Sequence, residues 1–141
     1  MPLPPAPPPS AATATMKANR SADTRPELAL RRELFARGLR YRVGLRLVLP
    51  SRKVRPDVVF TRSRVAVFVD GCFWHACPTH HRMPSDPTGY WKQKIARNVA
   101  RDAAVDAELR AAGWKVIRVW EHVPAAVAAG LVQQTVVELT R

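Results

Sequence analysis

Apolar positions along this chain recur first at helical spacing, then alternate, then recur again, and that rhythm lays out its elements. Leu28, Leu30, Leu34 and Phe35 form one side of a helix predicted from about Arg25 to Arg37, with Arg31 and Arg32 facing outward. Thr24-Arg25-Pro26-Glu27 has the form of a capping box, proline is tolerated in a first turn, and Gly38 is a natural stop. On this pattern alone Glu27 needs no role beyond the cap.

From Arg40 to Val48 the residues alternate, which predicts a strand with one arginine-rich wet face. Pro50 to Lys53 reads as a basic loop. Asp57-Val58-Val59-Phe60-Thr61 reads as a second strand, Arg62-Ser63-Arg64 as a turn and Val65 to Val69 as a third strand. A three-residue turn pairs Thr61 with Val65 and therefore Asp57 with Val69. A long helix follows from Asp86-Pro87-Thr88 to Gly113, carrying Trp91, Ile95, Val99, Val105 and Leu109. Trp114 to Trp120 is a fourth strand whose Val116, Ile117 and Val119 imply burial on both faces, and Leu131 to Leu139 is a last helix. The order is that of an α/β chain.

Length adds one constraint: 141 residues, 47% of them hydrophobic, suit one domain with a real core. Residues 1–15 hold six of the thirteen prolines and no charged side chain, so they read as a disordered tail before a single domain at 16–141, with Met16 as an alternative start. No stretch has the pattern of a signal peptide or a membrane span, which predicts a cytoplasmic protein with no membrane partner. A formal charge of +12, mostly from arginine, points to a polyanion and above all to nucleic acid. A solvated basic face produced by biased composition is the plainer alternative.

The chemistry gathers in Val67 to His81, which contains both cysteines, three of the four histidines and Asp70. Cys72-x4-Cys77-x2-His80 supplies three ligands suited to zinc, and His122, just past the fourth strand, is the candidate for the fourth. His81 is the fallback for His80. Such a closed Cys2His2 set would be structural; buried free thiols with scattered histidines are the alternative. Asp57, in Arg55-Pro56-Asp57, precedes the strand end Val69-Asp70 by twelve residues, a placement suited to the oxygen ligands magnesium prefers. Alternation turns the Asp70 side chain away from Asp57, leaving the Val69 carbonyl as the nearer oxygen.

Thr24-Arg25-Pro26-Glu27, Arg55-Pro56-Asp57, Asp70-Gly71-Cys72-Phe73-Trp74-His75, Tyr90-Trp91, Asn98-Val99-Ala100-Arg101-Asp102 and Trp120-Glu121-His122 together resemble the very-short-patch (Vsr-type) mismatch repair endonucleases. The resemblance spans about Met16 to His122. It implies a restriction-endonuclease-like three-layer fold, a central mixed sheet flanked by helices, with a structural zinc. It also implies magnesium-dependent nicking of double-stranded DNA 5′ to the T of a T:G mismatch, by a monomer that cooperates with general mismatch-repair factors. Carried over by position, Asp57 would hold magnesium with the Val69 carbonyl, His75 would be the base and Glu27 would support the site. Phe73, Trp74 and Trp91 would wedge into the duplex, with Met16 inserted from the opposite groove; core packing is the alternative for each aromatic. The best-known member has threonine at Val69 and histidine at Asp70, so the acid here would bind metal or orient His75. Two other readings remain at this stage: a restriction-like nuclease with another target, and a non-catalytic zinc-stabilised DNA-binding module.

Overall fold

The computed structural model describes residues 24–72 and 88–140. Helix α1 (Arg25–Ala36) comes first, then the short strands β1 (Leu47–Val48) and β2 (Lys53–Val54). Strands β3 (Val58–Phe60) and β4 (Val65–Asp70), helix α2 (Tyr90–Ala111), strand β5 (Lys115–Trp120) and helix α3 (Ala125–Leu139) complete the order. β4 is central: it pairs antiparallel with β3 and parallel with β5, making a small mixed sheet.

Alternation along β4 decides what covers each face. Val65 and Val67 join Leu30 and Leu34 of α1, Val132 and Val136 of α3, and Ile117 and Val119 of β5 in one cluster. Ala66 turns the other way, toward Val105 and Leu109 of α2, Val116 of β5, and Leu49 and Val54 of the β1–β2 hairpin. Helices therefore cover both faces of the sheet. Among the described residues no helix is long and apolar enough to cross a membrane.

Several boundaries differ from those the pattern predicts. The predicted first strand is interrupted at Gly44, whose φ of +74° is a left-handed conformation that side chains disfavour. Arg42 makes an isolated bridge to Val59, while Leu47 and Val48 pair with Val54 and Lys53, so part of the expected basic loop is strand. The β3–β4 turn takes four residues, with Arg64 at φ +57°, and Phe60 rather than Thr61 pairs with Val65. One extra turn residue shifts the whole register by one. Helix α3 starts at Ala125, six positions earlier than expected, because Pro124 precedes the first turn instead of blocking it.

The predicted apolar face of α1 is also narrower than expected. Leu30 and Leu34 are buried, but Phe35 is 58% exposed, with the Arg40 guanidinium 3.9 Å over its ring. Arg31 is drawn inward, its Nη2 lying 3.4 Å from Glu27 Oε2 while its carbonyl accepts the Tyr41 hydroxyl. Val99, expected in the core, is exposed. Replacing Leu34 with alanine should cost about 2–5 kcal/mol in a urea titration, whereas Phe35→Ala should cost about 1 kcal/mol or less. Equal losses would contradict this assignment of the helix face.

Candidate active site

Asp57 lies between buried Pro56 and the start of β3. Its amide donates to the Val67 carbonyl at 3.0 Å, and its Oδ2 accepts the Val69 amide at 2.7 Å. The predicted neighbourhood of Asp57 and Val69 is thus present, but the carboxylate makes it where ladder pairing was expected. In an extended strand a residue's N–H and C=O point to the same edge. The Val69 carbonyl is therefore directed to the edge of β4 that carries Asp57.

Glu27 approaches Asp57 from α1. It is 4% exposed, and Thr24 makes no side-chain cap hydrogen bond, so the expected capping box does not form. Burial pushes the Asp57 carboxyl up from 3.8 to about 7. The Val69 amide opposes that rise, while the charge and hydrogen bond of Glu27 and the charge of Asp70 add to it. Arg31 supplies a cation to Glu27 at 3.4 Å. A half-buried and a buried carboxylate side by side make an oxygen donor set that fits a hard divalent ion.

Asp70 occupies the opposite face of the sheet. Arg118 Nη1 donates to its Oδ1 at 3.0 Å and Oδ2 at 3.3 Å. The Arg118 Nε donates to Asp106 at 2.8 and 3.0 Å, Nη1 lies 3.7 Å from Asp102, and the guanidinium stacks 4.2 Å over Phe68. The role offered to Asp70 beside Asp57, as a metal ligand, is at odds with this placement, because its carboxylate is turned to an arginine. Arg118 carries no motif that sequence reasoning could use; its position opposite Phe68 in the parallel register is its only signal.

Just past β4, the Cys72 amide donates to Glu121 Oε1 at 3.1 Å, and the Glu121 amide donates to the Asp70 carbonyl at 2.9 Å. Glu121, also missed by sequence reasoning, holds the exit of the strand. The Cys72 thiol is buried and lies 3.3 Å from His122 Nδ1. Two zinc ligands in a tetrahedron stand about 3.6 Å apart for one sulfur and one nitrogen at ordinary bond lengths. These two predicted ligands thus come together at a fitting separation. Cys77, His80, His81, His75, Phe73, Trp74 and Met16 lie outside the described residues, among which no group of three or more metal-ligating side chains occurs.

Trp91, offered as a wedge, is 3% exposed and meets the Tyr90 ring edge-on at 4.8 Å between centroids. In this conformation it packs on the inner face of α2, the alternative noted for it. Arg40, Arg42, Arg46, Lys53 and Arg55, which precede Asp57 in the sequence, are exposed.

Comparison with known proteins bears on this arrangement. The family model described as DNA mismatch endonuclease Vsr matches residues 8–81. A type II nicking enzyme, V.NaeI of Lentzea aerocolonigenes, is 52% identical over 84% of this chain and 72% of its own length. The chain belongs to the Vsr family of DNA endonucleases. Other Vsr relatives are the type II nicking enzyme V.NmeAIP of Neisseria meningitidis, 40% identical over 72% of this chain and 70% of its own, and the DNA mismatch endonuclease Vsr of Escherichia coli, 38% identical over 75% and 66%. Membership sets aside the non-catalytic reading.

The raised Asp57 carboxyl has a consequence for stability. Between 3.8 and about 7 the folded state keeps a proton that the unfolded state has released, so rising pH favours unfolding across that window. Measured in chelator, Asp57→Asn should melt above the parent protein at pH 8, and the gap should close toward about pH 4. A gap independent of pH would show that Asp57 ionises alike in both states.

Proposed function

We propose that this endonuclease nicks one strand of duplex DNA 5′ to the T of a T:G mismatch, by magnesium-dependent hydrolysis of the phosphodiester. The observation that carries the reading is the pairing of half-buried Asp57 with buried Glu27 at the edge of β4, with the Val69 carbonyl directed to that edge. Asp57 and the Val69 carbonyl would hold the ion, with Glu27 beside them. When bound, magnesium would supply positive charge to the phosphate oxygens and to the attacking water. His75, as a neutral imidazole, would take the proton from that water. The exposed arginines before Asp57 would neutralise flanking phosphates.

Target choice in this reading rests on wedging. Unstacking costs a few kcal/mol per step and least at a mispair, so insertion of Phe73 and Trp74 would favour damaged duplexes. Trp91 would join them only by leaving its packed position. A second reading, a nuclease restricted to a particular site, is favoured by the relatives named as type II nicking enzymes. A T:G duplex with varied flanks and its A:T control distinguish the two. Magnesium-dependent incision of the T:G strand alone, lost in Asp57→Ala, is the expected result; equal incision of both duplexes would overturn mismatch specificity.

Zinc held by Cys72, Cys77, His80 and His122 would tie the segment after β4 to the end of β5 without an open coordination position. The 3.3 Å approach of Cys72 to His122 supports it. Mass spectrometry of protein purified without added metal should find about one zinc per chain. Less than about half an equivalent would refute the assignment.

A further inference from the structure

Resting on the reading above, we propose that Arg118 is a positioning residue that takes the Asp70 carboxylate as its counter-ion and so holds the end of β4 in the orientation that directs the Val69 carbonyl and amide to Asp57. The assignment starts from how Asp70 is held. Its side chain is fixed by Arg118 at 3.0 and 3.3 Å, and its carbonyl accepts the Glu121 amide at 2.9 Å. Both contacts come from β5 or the residue after it, so the last residue of β4 is gripped by main chain and side chain together. Val69, one residue earlier, meets Asp57 on the other edge at 2.7 Å. Rotation of Asp70 about the strand axis would carry the Val69 peptide with it.

Arg118 is itself anchored independently of Asp70. Asp106 receives its Nε at 2.8 Å and its Nη2 at 2.8 Å, Asp102 lies 3.7 Å from Nη1, and Phe68 lies beneath the guanidinium. Asp102 and Asp106 are four residues apart on α2 and share one face of it. The guanidinium thus references the strand end to the longest helix among the described residues. A half-buried arginine among three acids stabilises little compared with apolar packing, and its best-attested use is to specify one arrangement. The same pairing removes Asp70 from metal binding, because both of its oxygens face a fixed cation.

The experiment compares Arg118→Met, Arg118→Lys, Asp70→Asn and the double variant Arg118→Met/Asp70→Asn with the parent protein. Single-turnover nicking of the T:G duplex, affinity for the same duplex in calcium, and binding of Mn2+ without DNA are read for each. A misplacement of about 1 Å at reacting groups costs about a hundredfold in rate. Arg118→Met should therefore nick at least about tenfold more slowly, with DNA affinity within about twofold of the parent, and Arg118→Lys should recover part of the loss. The double variant should be no slower than the slower single variant, as expected for two groups acting through one contact. Mn2+ affinity should fall in Asp70→Asn no further than in Arg118→Met, which breaks the same contact but keeps the Asp70 carboxylate.

Unchanged nicking in Arg118→Met, additive losses in the double variant, or a loss of Mn2+ affinity in Asp70→Asn that exceeds the loss in Arg118→Met would each overturn the inference. If Arg118→Met does not fold, Arg118→Lys and Asp70→Asn carry the same comparison. A parent protein that does not nick the duplex contradicts the functional reading instead, and the Mn2+ titration then still decides whether Asp70 is a ligand.

Discussion

The hydrogen bond from the Val69 amide to the Asp57 carboxylate is the contact on which the site depends. It joins the entry of β3 to the exit of β4 at 2.7 Å, where the ladder between them has ended. Everything that sets its geometry lies elsewhere. The four-residue turn fixes the register, the parallel pairing of β4 with β5 fixes the direction in which β4 leaves the sheet, and the residue before Asp57, Pro56, is fully buried. The amide favours the ionised carboxylate, yet burial and Glu27 outweigh it and leave Asp57 near neutral pH in its titration. A protein stabilised for its own sake would not place two acids there, and this tension is the ordinary mark of a functional site.

Charge is sorted across the sheet in a way that net charge alone conceals. On one face Asp57 lies beside Glu27, whose carboxylate meets Arg31 at 3.4 Å. On the other, Asp70 meets an arginine already anchored by Asp106 and Phe68. The first group brings two carboxylates together and the second pairs its acids with one guanidinium. In a chain of net charge +12, both acid groups are buried or half-buried while the arginines that precede Asp57 in sequence are exposed. The positive field therefore comes from exposed side chains, and the acids contribute less to it at long range.

Much of this was legible in the sequence because it is local. The helix from Arg25, the β3–β4 hairpin, the buried β5 and the termination at Gly113 all follow from spacing and turn residues, and Gly113 has the φ of +92° that its stop requires. The meeting of Cys72 with His122 was legible too, because a parallel neighbour of β4 must bring its own end beside that of β4. What was not legible depends on one-residue detail or on distant partners. The register slipped because Arg64 accepts a left-handed φ that a pattern of residue types does not reveal. Glu27 read as a cap because its real neighbour is 30 positions away in sequence. Arg118 was invisible for the same reason, since Asp70 lies 48 positions earlier. The resemblance reached the chemistry class, while the geometry of Asp70 came only from the structure.

The most direct measurement of the central claim is anomalous diffraction from crystals of the full chain soaked in Mn2+. The account predicts a peak coordinated by the Asp57 carboxylate and the Val69 carbonyl, with Arg118 still bound to Asp70. A peak coordinated by Asp70, with Arg118 displaced, or no peak at Asp57 at saturating Mn2+, would contradict it.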